Sequence, residues 1–267
     1  MTEKELEILV NSSNKITEHW RKYEDDILEL IDSSDIKQTA EACYILENNS
    51  ESILHEILNS VINNNFYSAS ILYRSLTEYF LRLIYIYLRA NNDKNDNVGY
   101  EYNVLLKENE TRQFNNSISE LNGYIKEYNI SVNKKYLKPI TTSMTLEQTK
   151  NAKINFSYRN IIKYIFQNYN QIKLFGPDDI FFFIVMQEYL ELSSFVHGGP
   201  TSTEIFSLQS NKDESEEING FYITRSLKIC NLQKFYVINL FINHNLKFSV
   251  PNVQILLELM EQFNISL

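Results

Sequence analysis

The chain has 267 residues and a mass of 31.5 kDa, with only six glycines and four prolines, where average usage would give about 32 of the two together. All-β folds need frequent Gly, Pro or Asn-Gly turns and doubly wound α/β folds need glycine-rich phosphate turns, so both are disfavoured and an all-α fold is expected. The formal charge of −9 argues against a nucleic-acid binder when the chain is taken whole, and two cysteines, Cys43 and Cys230, are too few for a disulfide framework or a four-cysteine zinc site.

In chain order, residues 3–31 show helical spacing of Leu6, Val10, Trp20, Ile27 and Ile31, interrupted at Asn11–Asn14. After a turn at Ser33-Ser34-Asp35, a second helix is expected over 35–62. Asn63-Asn64-Asn65 breaks it, and a third runs over 66–90. Residues 98–130 read as helix, 131–156 as irregular around Pro139, and 158–170 as helix again. Gly176-Pro177-Asp178-Asp179 starts the next helix, Ile180 to His197, and Gly198-Gly199-Pro200 stops it. Residues 207–218 read as an acidic loop, with weak strand signals near 203–209 and 220–224. Helices over 221–244 and from Pro251 to Phe263 complete the pattern. The start of the chain is charged and carries no apolar signal segment. The longest apolar run, Ile180–Met186, is far short of the ~20 residues that span a bilayer, so a cytoplasmic protein without a membrane contact is expected.

Charge is unevenly spread. Residues 1–60 hold five basic and fourteen acidic side chains, residues 61–175 hold fifteen and nine, and residues 176–267 hold five and eleven. Within the middle block, 126–173 carries nine basic residues against Glu127 and Glu147. Tyr128, Tyr136, Phe156, Tyr158, Tyr164, Phe166 and Tyr169 lie among them. Cations for phosphates and rings for bases are the means of single-stranded nucleic-acid binding. Lys134, Lys135, Lys138, Lys153, Arg159 and Lys163 are therefore candidate RNA contacts. The competing explanation is an electrostatic match to the acidic first helices, within one molecule or between two.

On the third helix, Leu72, Leu76, Tyr79, Phe80, Leu83 and Tyr87 share a broad apolar face. Arg74, Glu78, Arg82, Tyr85 and Arg89 form a narrow stripe opposite, readable as a solvated ion-pair row or as a polar stripe facing a cleft. His197 ends its helix with Ser193 and Ser194 one turn back. A C-terminal histidine caps a helix favourably, and a Ser–His pair is also a nucleophile and its base. No orienting acid, no G-x-S-x-G elbow and no H-E-x-x-H metal motif accompanies it, so no cofactor or metal is expected.

Two segments carry a family resemblance. NNNFYSASILYRSLTEYFLRLIYIYL, with its R-x-x-x-E pair Arg74 and Glu78, resembles the early helix of HEPN-like proteins (higher eukaryotes and prokaryotes nucleotide-binding). YLELSSFVHGGP resembles the later helix of bacterial HEPN-like families that end in S-x-x-V-H-G/P. The resemblance implies an up-and-down helical bundle, commonly dimeric, in bacterial toxin–antitoxin or antiphage systems. Its active members are metal-independent ribonucleases with an R-x(4–6)-H motif, in which histidine moves protons and arginine steadies the phosphate. The positions that motif would assign before His197 are Leu190, Glu191 and Leu192, so the arginine is missing. On this resemblance the chain is one helical domain over 1–267: acidic helices at 1–62, an HEPN-like core at 63–200 and C-terminal helices at 201–267. The implied site is Arg74, Glu78, Ser194 and His197; if these residues form a cleft, Glu78 and His197 should lie within about 6–8 Å across facing helices, and a wide separation would leave the Arg74 stripe as solvated surface. The implied function is RNA binding, or cleavage by an atypical site, alongside a second copy or a defence-system protein. The alternatives are an inert helical interaction module and an unrelated hydrolase using Ser193 or Ser194.

Overall fold

The computed structural model describes residues 3–127, 139, 144–172, 180–196, 212–244 and 254–259. These residues form α-helices, a π-helical stretch and a 3-10 turn, with no strand among them. The all-α expectation holds. The helices are α1 (Glu3–Lys22), α2 (Glu24–Ser33), α3 (Lys37–Ile62), α4 (Phe66–Asp93), α5 (Asn97–Tyr100), α6 (Lys107–Glu127), α7 (Leu146–Asn155), α8 (Tyr158–Gln167), α9 (Phe181–Val196) and α10 (Lys212–Asn243). A π-helical stretch, Glu101–Leu106, joins α5 to α6, and a short helix covers 254–259.

The scaffold is an antiparallel hairpin of α3 and α4, against which α10 packs along both. At 32 residues, α10 is about 48 Å long. The turn between α3 and α4 uses Asn64 at φ 53°, a left-handed conformation that asparagine tolerates better than most residues. Asn65 then caps α4 by accepting from the Ser68 N–H at 3.1 Å. At the far end, Asp96 accepts from the N–H groups of Gln38 at 2.9 Å and Thr39 at 2.7 Å, closing the hairpin.

α4 is buried on nearly all sides, from Phe66 to Ala90. That departs from the one-sided burial its pattern suggests. α9 and α8 cover the face that α3 and α10 leave open. Aromatic rings fill these seams: Phe80 stacks on Phe182 at 5.5 Å, Phe182 meets Tyr236 edge-on, and Tyr236 meets Tyr87 at 4.9 Å. Such pairs add about 0.5–1.5 kcal/mol beyond the area they bury. Much of the aromatic richness of the sequence is thus spent inside the bundle.

The structure corrects several boundaries. The first helix breaks at Tyr23, where the Glu24-Asp25-Asp26 run starts α2 with acidic residues at the positive end of its dipole. The irregular stretch contains α7, started by a reciprocal capping box between Thr145 and Gln148. The acidic loop at 207–218 is helical from Lys212 onward, so 220–224 is helix rather than strand. The strand signal at 203–209 falls outside the described residues. No helix among the described residues is long and apolar enough to cross a membrane.

Candidate functional site

The charged stripe of α4 is built by four-residue spacing. Glu78 stands between two guanidinium groups, with Arg74 Nη1 2.8 Å from one carboxylate oxygen and Arg82 Nη2 2.6 Å from the other. Their side chains are only 19%, 24% and 23% exposed for Arg74, Glu78 and Arg82. The stripe therefore faces protein rather than bulk water. α9 covers one end: Arg74 Nη2 donates to the Tyr189 hydroxyl at 2.9 Å, and the guanidinium lies 4.8 Å from the centre of that ring. Tyr189 in turn stacks on Tyr158 of α8 at 4.1 Å. The π-helical stretch flanks the other end, where Tyr102 and Arg82 line one cleft. Hydrogen bonds to charged groups in such partly buried settings are worth about 1.5–3 kcal/mol, well above an exposed pair.

A second polar row lies one helical step away. Tyr73, fully buried, donates to Glu188 Oε2 of α9 at 2.5 Å, and Arg225 Nε of α10 is 3.4 Å from Glu188 Oε1. Burial pushes the Glu188 carboxyl above its ordinary range, while Tyr73 and Arg225 pull it back. Arg225 also packs against the rings of Phe181 and Phe221. Three helices are thereby locked in register.

Arg74 and Glu78 are brought together as expected. Ser194 lies in the last turn of α9 with its side chain outside the described residues, and His197 is wholly outside them. The antiparallel register pairs Phe80 with Phe182 and Tyr73 with Glu188. Carried one step further, it sets Ser194 near the level of Ser68, about 15 Å along the α4 axis from Glu78. The α9 groups that meet the Arg74 stripe are Tyr189 and its neighbours. Ser193 donates its hydroxyl to the Tyr189 carbonyl at 2.7 Å, an ordinary back-bond within a helix.

Of the candidate RNA contacts, Lys134, Lys135 and Lys138 lie outside the described residues. Lys153 on α7 and Arg159 and Lys163 on α8 are exposed, and Lys150 joins them. None of these four forms an ion pair among the described residues. Tyr128 and Tyr136 also lie outside the described residues, and the described aromatics of the same segment turn inward instead. Phe156 packs on Tyr85 and Tyr102, Tyr164 on Tyr85, and Tyr169 on Phe183. Phe166 is the exception at 50% exposure, although its ring also touches Phe183.

No family model matches the chain, and no curated protein or solved structure is significantly similar to it.

Sequence reasoning missed Tyr73, Tyr102, Glu188, Tyr189 and Arg225. Glu188 and Tyr189 had a readable cue, since a charged and a phenolic residue interrupt an otherwise apolar helix. Tyr102 had none, because its position depends on a π turn that periodicity does not register. Among the described residues no group of three or more His, Cys, Asp or Glu is placed to hold a metal ion.

Proposed function

We propose that this chain is an RNA-binding helical protein whose contact surface is the outer face of α7 and α8. The observation that carries the reading is the set Lys150, Lys153, Arg159 and Lys163: exposed, on consecutive helices, and without carboxylate partners among the described residues. Over 146–167 the only acid is Glu147, in a chain of net charge −9. Cations so concentrated against the overall balance suit a phosphate backbone. With Phe156, Tyr164 and Tyr169 packed inward, the surface offers little for base stacking. Binding is then backbone-led, weakly sequence-selective and strongly salt-dependent. The HEPN-like resemblance supports RNA over DNA and a bacterial toxin–antitoxin or antiphage setting. Arg74 is committed to Glu78 and Tyr189, which favours binding over cleavage.

The test is fluorescence anisotropy with a labelled single-stranded RNA between about 50 and 300 mM KCl, with no added metal. Four phosphate contacts predict a slope of log K against log salt of about −3. Changing Lys150, Lys153, Arg159 and Lys163 to serine should reduce the slope toward zero and weaken binding at least tenfold at low salt. No binding at about 50 mM salt, or binding that the fourfold variant retains, overturns the reading. RNA shortening that both Arg74→Ala and His197→Ala abolish would replace it with the ribonuclease reading.

A further inference from the structure

A cleft of about 570 Å³ opens between the start of α3, α4, the π-helical stretch and α6. Its lining includes Glu41, Ile45, Arg82, Tyr102, Lys107 and Glu110. The volume falls in the range of small-molecule sites, about 300–1,000 Å³, and π-helical turns are frequent at such sites. The rim is held in place by Asn103, whose amide donates to the Gln38 carbonyl at 2.9 Å.

The polar groups of this cleft are incompletely used. Arg82 donates to Glu78 through Nη2, but its Nε is buried with no hydrogen-bond partner. A buried unpaired donor is costly, and it calls for an acceptor. Lys107, also in the lining, forms no ion pair among the described residues, and neither do Glu41 and Glu110. The cleft thus presents two cations and two carboxylates together with an apolar wall of Ile45 and Leu106. A free anion would meet Glu41 and Glu110, and a free cation would meet Arg82 and Lys107. A zwitterion satisfies both sets.

We infer that this cleft binds a free α-amino acid with an aliphatic side chain. Its carboxylate accepts from Arg82 and Lys107, its ammonium donates to Glu41 and Glu110, and its side chain lies on Ile45 and Leu106. The site is separate from the α7–α8 surface, and the inference does not depend on RNA binding.

The experiment is thermal unfolding and calorimetric titration of the full chain with L-leucine, N-acetyl-L-leucine and L-leucinamide. L-Leucine should bind and raise the melting temperature. The two capped forms, each lacking one charge, should bind at least tenfold more weakly. Glu41→Gln and Lys107→Met, both at positions away from the core, should each weaken L-leucine at least tenfold while the chain remains folded by circular dichroism. No heat and no shift with L-leucine, L-isoleucine or L-valine overturns the proposal. So does equal binding of a capped form, or undiminished binding in both variants.

Discussion

Arg74 reaches from α4 to the ring of Tyr189 on α9, donating to its hydroxyl at 2.9 Å with the guanidinium 4.8 Å from the ring centre. One cation thus serves a carboxylate on its own helix and an aromatic ring on the next. Arg74→Ala removes both contacts and leaves Glu78 with Arg82 alone. The expected cost is about 1.5–3 kcal/mol in urea denaturation. Tyr189→Phe should cost about 1 kcal/mol, since the stacking on Tyr158 survives. RNA affinity should be unchanged in Tyr189→Phe, measured by the same anisotropy titration.

The interior also holds a charged triad. Lys234 on α10 is fully buried, with its Nζ 3.1 Å from Glu47 and in contact with Glu51, both on α3. Two carboxylates against one ammonium leave an uncompensated negative charge. Burial raises the Glu47 carboxyl from 4.5 to about 7, although Lys234 pulls it down. Between about pH 4.5 and 7 the folded chain therefore holds a proton that the unfolded chain has released, which removes that excess charge. Stability should fall as pH rises from about 4.5 to about 7, by up to about 3 kcal/mol, and level off above that. Urea titrations across this range should show the slope in the native chain and lose it in Glu47→Gln.

Asp96 caps α3 from outside that helix, taking the N–H groups of Gln38 and Thr39 on one carboxylate. Asp96→Ala leaves two helix-terminal donors without their acceptor and should cost about 1–3 kcal/mol. Asp96→Asn keeps one acceptor oxygen and should cost less. Thermal melts of the two variants give the comparison.

Two glycines separate close packing from mere helix propensity. A Cβ on Gly99 would stand 2.0 Å from the Thr39 backbone nitrogen, so Gly99→Ala must push α5 away from α3. A loss above about 2 kcal/mol is expected. Gly123 lies on the exposed part of α6, where a methyl group would meet nothing within 4 Å. Gly123→Ala should stabilise α6 by about 0.5–1 kcal/mol, read as a gain in helicity by circular dichroism.

The helical class was legible because it rests on composition and on long apolar periods, which α3, α4 and α9 display plainly. The α4 stripe was legible as a stripe, since four-residue spacing follows from helix geometry alone. Whether water or protein covers it was not, because that depends on α9 and the π turn arriving from elsewhere in the chain. α7 was obscured by the nearby Pro139 and by its own weak apolar pattern, although Thr145-Leu146-Glu147-Gln148 carried a capping signature. The Glu47–Lys234 pairing spans most of the chain, and no local pattern anticipates it.

Closure of the α3–α4 hairpin at both ends sets a hierarchy of local openings. The Asn63–Asn65 turn holds one end and the Asp96 carboxylate the other, so neither helix can fray without breaking a bond outside itself. Amide protons in the middle of α4 should exchange with deuterium only when the whole chain unfolds. α6 lies at the other extreme: past Asn109 it has no buried residue, and its amides should exchange through local opening long before that.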